Sequence, residues 1–235
     1  MLKTTNPCYV PETVYFEEQE FYKYHLYSYF PLGILDKGDE YTQLVTKYIW
    51  KFKDGEKDIQ DEWISLVCEY FEDLLSNNPE YFGDLKDIVF FCIPASQIET
   101  NIKRLAYFSE SICKNLKFNN GFDYTTIVQE GTPKHLKNVE HVEMIYKVNQ
   151  NFFSGKKVII FDDVFTQGNT AVKACSILKS ANAQILFLIT LGRTADRYHP
   201  DYNTIHPCCN RFAYRCRLEQ QEQENKQSQE NLTIE

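Results

Sequence analysis

The 235-residue chain lacks the features that mark several common protein classes. No apolar run is long enough to cross a bilayer, and the first residues contain no apolar core of signal-peptide length, so a cytoplasmic location without membrane contact is expected. A formal net charge of −8 leaves no global basic footprint, which argues against a nucleic-acid partner. Neither G-x-G-x-x-G nor G-x-x-x-x-G-K-S/T occurs, which argues against dinucleotide and P-loop nucleotide sites.

The sequence also lacks a cysteine pattern typical of a disulfide framework. Its 8 cysteines are scattered, mostly in apolar segments, and in a cytoplasmic protein they are expected to be free thiols. One late cluster has the residue types of a zinc site: His206, Cys208, Cys209 and Cys216. It contains no C-x-x-C pair, so free thiols are the preferred interpretation there as well.

The apolar periodicity of the chain predicts an α/β fold. Helices are predicted at 41–52, 59–75 and about 102–117, and strands at 88–93, 124–128, 158–161 and 185–191. The segment 142–148 fits either a short strand or a helix. This alternation of strands and helices predicts a parallel sheet, flanked by helices, with right-handed connections.

Three parts of the chain differ in composition. Residues 1–85 are predicted to be an N-terminal extension, an aromatic-rich arm or short strands followed by two helices, packed on a core of residues 86–217. The aromatic stripe is interpreted as core, with a base-stacking surface as the alternative. Residues 218–235 are rich in Gln and Glu and poor in apolar side chains, so a disordered polar tail is expected.

The most informative stretch is 157–170, which reads K-V-I-I-F-D-D-V-F-T-Q-G-N-T. Its short continuous apolar run is typical of a strand buried on both faces of a parallel sheet. Two carboxylates, Asp162 and Asp163, follow where that strand is expected to end. Helical spacing resumes at Ala171, so the stretch predicts a strand, an acidic pair, a short polar loop and a helix.

This arrangement has a specific chemistry. A loop that enters a helix N-terminus presents backbone N–H groups and the positive end of the helix dipole, which together bind phosphate. The candidate phosphate-binding residues are Thr166, Gln167, Gly168, Asn169 and Thr170. Two neighbouring carboxylates repel phosphate but accept hydrogen bonds from a vicinal diol. A ligand that offers both groups is a ribose 5-phosphate. The alternative is a buried strand followed by a helix-capping loop, with incidental acids.

The same residues resemble the phosphoribosyl diphosphate (PRPP) signature of type I phosphoribosyltransferases, which is a D-D pair followed by T-x-G-x-T. Gln167 stands where members often have Thr. The resemblance implies a type I phosphoribosyltransferase-like fold in which Asp162 and Asp163, the catalytic pair, bind the ribose hydroxyls and the loop binds the 5′-phosphate. It further implies Mg²⁺ bound together with PRPP, no metal held by direct protein ligation, and the homodimer that many members form.

Further segments between about 29 and 194 resemble the ComF-like branch of that family, which is linked to competence and DNA uptake. These segments are K-F-K-D-G, I-P-A-S, K-R-L-A-Y-F, S-G-K-K and L-G-R-T. Two departures stand out. The N-terminal region holds only Cys8, so the four-cysteine zinc module of many members is absent. Ala106 and Tyr107 replace the family's Arg-Gly.

A PRPP site also needs a place for the pyrophosphate. After the strand at 88–93, Ala95 and Ser96 are predicted to turn the backbone so that N–H groups converge on an anion. Lys103 and Arg104 follow and are predicted to supply positive charge; the alternative is that they are solvated on a helix face.

A polar loop at 131–137 is predicted to be a mobile lid that excludes water, with Lys134 or His135 closing over the reacting bonds. An ordinary surface loop is the alternative.

The resemblance implies an enzyme that transfers phosphoribosyl from PRPP to an unidentified nitrogen acceptor and releases pyrophosphate. The alternative, which the two departures favour, is a non-catalytic PRPP or nucleotide sensor, or an adaptor in DNA uptake or processing.

Overall fold

The protein folds into a mainly parallel β-sheet flanked by helices, as its sequence predicts. The computed structural model describes residues 12–16, 19–29, 40–132, 140–166 and 168–194. The strands are β1 (Glu12–Phe16), β2 (Gln19–Tyr29), β3 (Ile88–Cys92), β4 (Asn119–Asn120), β5 (Thr125–Gln129), β6 (Ile145–Val148), β7 (Lys157–Phe165) and β8 (Gln184–Thr194). The helices are α1 (Glu40–Lys53), α2 (Lys57–Asn77), α3 (Pro79–Phe82), α4 (Ile98–Asn101), α5 (Tyr107–Leu116), α6 (Gln150–Phe153) and α7 (Asn169–Ser180).

The six-stranded central sheet has the order β1-β2-β8-β7-β3-β4. Every pair in it is parallel except the antiparallel pair of β1 and β2. β3 and residues 158–161 of its neighbour β7 are continuous runs of fully buried apolar residues, because helices cover both faces of the sheet. Their carboxyl ends meet at one edge, which is where ligands of such sheets bind.

Two apolar clusters lie on opposite faces of the sheet. One joins α1, α2 and α5 to the sheet and is rich in aromatic rings, among them Trp63, Phe71 and Phe108. The other joins α7, α6 and β6 to the opposite face and includes Phe153 and Leu178. Alternate residues of β7 enter the two clusters, Ile159 the first and Ile160 the second. The packing on both faces fixes the position of β7 and of the loop that follows it.

The N-terminal segment forms strands of the central sheet. β2 pairs in parallel with β8 over a register that runs from Tyr22 opposite Phe187 to Tyr29 opposite Thr194. α1 and α2 then pack on the apolar cluster described above. The predicted domain boundary at residue 85 stays a prediction, but the first 85 residues do contribute to the central sheet.

Three local expectations need correction. β7 does not end before the acidic pair but continues to Phe165, because β8 supplies pairing partners along its whole length. β5 does not join the parallel sheet but forms an antiparallel hairpin with β6, which also settles 142–148 as partly strand. The helix after β3 is interrupted by a π-helical turn, Ile102–Ala106.

All four described cysteines, Cys68, Cys92, Cys113 and Cys175, are free and buried, which confirms the free-thiol prediction for them. Burial raises the pKa of the Cys113 and Cys175 thiols to about 12. The late His and Cys cluster and the polar tail lie outside the described residues. No helix in the described part of the chain combines the length and apolarity needed to cross a membrane.

Candidate functional site

A cavity of about 740 Å³ lies beyond the carboxyl ends of β3 and β7. It brings together residues that are far apart in sequence and that the sequence analysis had singled out. These are Ala95, Ser96, Arg104, Asp162, Asp163, Thr166, Asn169 and Thr170. The acidic pair and the phosphate-loop candidates therefore face one common space, as a ligand with a diol and a phosphate requires.

The acidic pair lies on the part of β7 that extends beyond β3. Pairing between the two strands runs only to Cys92 opposite Phe161, so the next residues of β7 have no β3 neighbour and border the cavity. Asp162 pairs with Thr190 of β8 on the other side. The Asp163 N–H donates to Asp162 Oδ1 at 2.9 Å, which holds that carboxylate against the backbone. Strand pairing and this hydrogen bond fix the direction of the Asp162 carboxylate.

Asp163 is held by two cations. Arg104 Nη1 donates to Asp163 Oδ2 at 2.8 Å, and Lys53 Nζ lies 3.4 Å from Asp163 Oδ1. The Asp163 side chain is only 11% exposed, so these contacts are partly shielded from water. Arg104, predicted as a pyrophosphate ligand, therefore reaches the acidic pair as well as the cavity. Its role toward pyrophosphate stays a prediction.

The π-helical turn places Arg104. Such a turn disrupts the regular helical hydrogen bonds and frequently occurs at functional sites. Gln60 Nε2, from a side chain only 2% exposed, donates to the carbonyl oxygens of Lys103 at 3.2 Å and Arg104 at 2.8 Å. The Arg104 Nε–H donates to the Lys53 carbonyl at 3.1 Å. The arginine is thus fixed by its backbone, its Nε and its Nη1.

Lys103 differs from its neighbour. Its side chain is exposed and is not part of the cavity wall, because the π-helical turn directs only Arg104 inward. Of the predicted K-R pair, the structure therefore brings one residue to the site.

Lys53 is the cation that the sequence analysis missed. It ends α1 and is followed by a turn with Gly55 at φ 69°, a conformation that glycine adopts without strain. A Cβ at Gly55 would lie 2.8 Å from the Lys103 carbonyl oxygen, so this turn packs directly on the π-helical turn. Lys53 belongs to the K-F-K-D-G segment, which carries part of the family resemblance and is the sequence signal that could have identified it.

The predicted phosphate loop connects β7 to α7. Gly168 has φ 84°, and a Cβ there would lie 2.8 Å from the Phe165 ring, so the position requires glycine. α7 begins at Asn169, and its first turn contains no acidic residue to oppose an anion. The Thr166 hydroxyl shares a 2.9 Å hydrogen bond with the Thr194 hydroxyl at the end of β8. Gln167 lies outside the described residues.

The loop after β3 differs in part from its predicted role. The Ala95 N–H donates to Asn101 Oδ1 at 2.9 Å, so this amide already has a partner within the chain. The expectation that the Ala95 amide donates to an anion is therefore not supported. Ser96 lines the cavity, and its carbonyl accepts from the Gly131 N–H at 2.8 Å. That bond ties this loop to the segment that leads into the predicted lid.

A second lysine missed in the sequence, Lys173 of α7, also lines the cavity. Its Nζ donates to Glu143 Oε1 and to the Met144 carbonyl, both at 2.6 Å, which attaches the segment before β6 to α7. The hydrogen bond from Lys173, and then its charge, lower the pKa of the exposed Glu143. The proposed lid residues, Lys134 and His135, lie outside the described residues, so the lid stays a prediction.

Comparisons with known proteins give three findings. No protein-family model matches the chain, and no curated protein matches it. Solved structures that match include adenine phosphoribosyltransferases. One from Saccharomyces cerevisiae has 15% identity and a TM-score of 0.33, with 55% of this chain and 68% of that chain covered. One from Leishmania tarentolae has 11% identity and a TM-score of 0.37, with coverages of 63% and 76%. A third has 16% identity and a TM-score of 0.35, with coverages of 55% and 69%.

Proposed function

We propose that the protein is a type I phosphoribosyltransferase of the ComF-like branch that binds PRPP and transfers its phosphoribosyl group to a nitrogen nucleophile. The observation that carries this proposal is the common cavity of the acidic pair and the glycine-containing loop at the start of α7. A ribose 5-phosphate fits this cavity, because it carries a vicinal diol for the acidic pair and a phosphate for the loop.

The proposed binding mode assigns the two halves of the ligand to different parts of the cavity. The 5′-phosphate lies at the loop before α7, where Thr166 and Thr170 line the cavity and offer hydroxyl donors. The ribose 2′ and 3′ hydroxyls donate to Asp162 and Asp163. The phosphate loop is far from the bond that breaks, so its binding energy serves to orient C1′.

The diphosphate lies between the loop after β3 and the π-helical turn. Ser96 and Arg104 line this side of the cavity, and the Arg104 guanidinium matches the charge of a leaving diphosphate. The bond from C1′ to the diphosphate oxygen breaks as the bond from C1′ to the acceptor nitrogen forms. The nitrogen then loses its proton. The carboxylates favour the positive charge that develops on the sugar in the transition state.

The donor set fits Mg²⁺ that arrives with the substrate. Within the described ranges, no group of three or more metal-ligating side chains is placed to hold an ion. Mg²⁺ binds substrate phosphates and keeps several waters, and Asp162 and Asp163 hold the ribose hydroxyls, so the ion would be held through PRPP and not by direct protein ligation. When bound, the ion supplies charge neutralisation for the leaving diphosphate.

A second candidate function is a non-catalytic PRPP sensor. The π-helical turn ends in Ala106 and is followed by Tyr107, whereas the ComF-like branch that the sequence resembles has Arg-Gly at these two positions. This difference favours the sensor. The Tyr107 hydroxyl donates to Asp61 of α2, outside the cavity wall. The turn therefore offers the diphosphate one arginine, Arg104, where a catalytic member of this branch has a second.

Two measurements separate these functions. Calorimetric titration with Mg²⁺ and PRPP tests binding, and pyrophosphate release in the presence of a panel of bases and amines tests turnover. An enzyme shows both, whereas a sensor binds PRPP without release. Asp163→Asn is expected to weaken PRPP binding about tenfold or more, because it removes a charged acceptor. The exposed Asp58→Asn is the matched control; equal affinity in the two variants would refute the diol assignment.

A further inference from the structure

One buried hydroxyl close to the site has no partner within the described part of the chain. Tyr146, the second residue of β6, is only 3% exposed, and its hydroxyl makes no hydrogen bond to any described residue. A hydroxyl that is buried without a partner destabilises the folded state, whereas a phenyl ring would fill the same space without that cost. Such groups are rare in native proteins, so this one requires an explanation.

The ring of Tyr146 is well packed, so packing alone does not account for the oxygen. The side chain belongs to the apolar cluster on the α7 face of the sheet, with its ring centroid 6.3 Å from that of Phe91. Strand pairing sets Tyr146 opposite Ile127 of β5. These contacts use the ring and the backbone, and they fix the side chain without using its hydroxyl.

The polar group that this hydroxyl can serve is the Asp162 carboxylate. Side chains alternate along β7, and Ile160 enters the cluster that contains Tyr146, so Asp162 belongs to the same face of the sheet. Burial, and then the charge of Asp162, raise the pKa of the Tyr146 hydroxyl, which therefore keeps its proton and remains a donor. Asp162 lines the cavity and Tyr146 does not, so Tyr146 acts on a ligand through Asp162.

A bound diol changes what Asp162 needs from the protein. Its Oδ1 accepts from the Asp163 N–H at 2.9 Å, and a carboxylate has about four acceptor sites in all, so sites remain for ribose hydroxyls and for one more protein donor. A ligand that covers the carboxylate excludes water from it, and a hydrogen bond to a charge is stronger where water is excluded. A buried neutral donor beside Asp162 is then worth more in the complex than in the free protein.

We propose that Tyr146 is a positioning residue whose hydroxyl donates to the Asp162 carboxylate when ribose hydroxyls bind there, which holds that carboxylate in the direction the diol requires. The proposal rests on the proposed function, because Asp162 is the residue assigned to the diol. The unpaired hydroxyl destabilises the free protein, and the complex recovers that free energy as affinity. The fold thus holds a donor in reserve for the bound state.

Tyr146→Phe separates this role from a structural one, because it removes the hydroxyl and keeps the ring. The melting temperature of the ligand-free protein is expected to rise by about 2–4 °C, since an unpaired buried hydroxyl is gone. The Kd for PRPP with Mg²⁺ is expected to rise about tenfold, since a donor to a charged acceptor is lost from the complex. A residue with a merely structural role would not raise stability and lower affinity together.

Tyr70→Phe is the matched control. Tyr70 of α2 is also 3% exposed, but it belongs to the apolar cluster on the other face of the sheet and is not part of the cavity wall. Its replacement removes the same group from the chain and is expected to leave the Kd for PRPP within about twofold, because distant sites act independently.

A second background tests the link to Asp162. In Asp162→Ala the carboxylate that would accept from Tyr146 is absent, so adding Tyr146→Phe is expected to change the Kd for PRPP by less than about twofold. A further tenfold loss in that background would mean that the hydroxyl acts through some other group, and it would overturn the inference.

The decisive readout is the pair of changes in Tyr146→Phe, measured by thermal melting without ligand and by calorimetric titration with Mg²⁺ and PRPP. A higher melting temperature together with weaker binding supports the inference. An equal or lower melting temperature would mean that the hydroxyl already has a partner in the free protein, such as a trapped water, and unchanged affinity would mean that the complex does not use it. Either result overturns the inference while the proposed function stands. If the wild-type protein does not bind PRPP, both fail.

Discussion

Gln60 connects the packing of α2 to the geometry of the site, and its replacement gives the sharpest test of that connection. Its Nε2 makes two hydrogen bonds, to the carbonyls of Lys103 and Arg104, from a fully buried position. Gln60→Leu keeps a similar volume but removes both bonds and leaves two carbonyls of the π-helical turn without this donor. At about 1 kcal/mol for each bond, plus a desolvation penalty, the expected loss of unfolding free energy is about 2–4 kcal/mol.

The same change is expected to raise the Kd for PRPP about tenfold, because Arg104 loses the contact that fixes its backbone. Urea denaturation measures the stability, and calorimetric titration measures binding. Gln150→Leu, at an exposed position in α6, is the control. A stability loss below about 0.5 kcal/mol in Gln60→Leu would show that the two hydrogen bonds do not hold the turn, and the account of how Arg104 is placed would then be rejected.

Gln60→Glu adds a pH dependence with a definite sign. A carboxylate cannot donate to the two carbonyls and is buried against their oxygens, so the folded state favours the protonated form and raises the pKa of the introduced group. The unfolded chain loses that proton first, near a pH of about 4.3. Stability relative to wild type should therefore decrease as the pH rises above that value, and should partly recover in acid. A pH-independent difference would contradict the buried donor role.

Three further predictions concern the loop, the thiols and the tether of β6. Gly168→Ala is expected to lower stability by about 1–3 kcal/mol and to weaken phosphate binding, because φ is positive and the added methyl meets an aromatic ring of β7; thermal melting and titration with ribose 5-phosphate check this. Cys113 and Cys175 are expected to resist alkylation at pH 8 until the protein unfolds, since burial raises their pKa to about 12; mass spectrometry of labelled peptides measures the rates. The ion pair of Glu143 with Lys173 should be present at neutral pH and lost as the pH falls through the lowered pKa of the Glu143 carboxyl. The melting temperatures of wild type and Glu143→Gln should therefore differ at neutral pH and converge in acid.

The sequence was sufficient for the central strand and the loop after it because both depend on local chemistry. A continuous apolar run is required where helices cover both faces of a sheet, and a glycine is required where φ is positive before a helix. These requirements identified the strand that contains Val158 and the turn at Gly168. Asp162 and Asp163 could then be identified as candidate site residues, because they lie between the apolar run and the glycine-containing loop.

The remaining features of the fold and of the site depend on contacts between segments that are distant in the sequence. Nothing around Asp163 indicates that Lys53, more than a hundred residues earlier, lies beside it. The extension of β7 beyond the acidic pair depends on pairing with β8. Because two adjacent carboxylates interrupt the apolar pattern of a buried strand, the sequence alone predicts that the strand ends before them. The π-helical turn depends on a donor from α2, so the helical spacing after β3 could not separate Lys103 from Arg104.

The paired cations give Asp163 a part in stability as well as in binding. A carboxylate that is 11% exposed and in contact with two cations contributes to folding as well as to binding. Asp163→Asn is therefore expected to lower stability by about 1–3 kcal/mol, since Arg104 keeps an acceptor but loses its charged partner.

The most direct test of the central claim is a crystal structure of the protein with Mg²⁺ and PRPP. The account predicts the 5′-phosphate on the backbone amides at the start of α7, within hydrogen-bond distance of Thr170, and both ribose hydroxyls on the carboxylates of Asp162 and Asp163. A structure with the diphosphate in that loop, or with the ribose turned away from both acids, would contradict it.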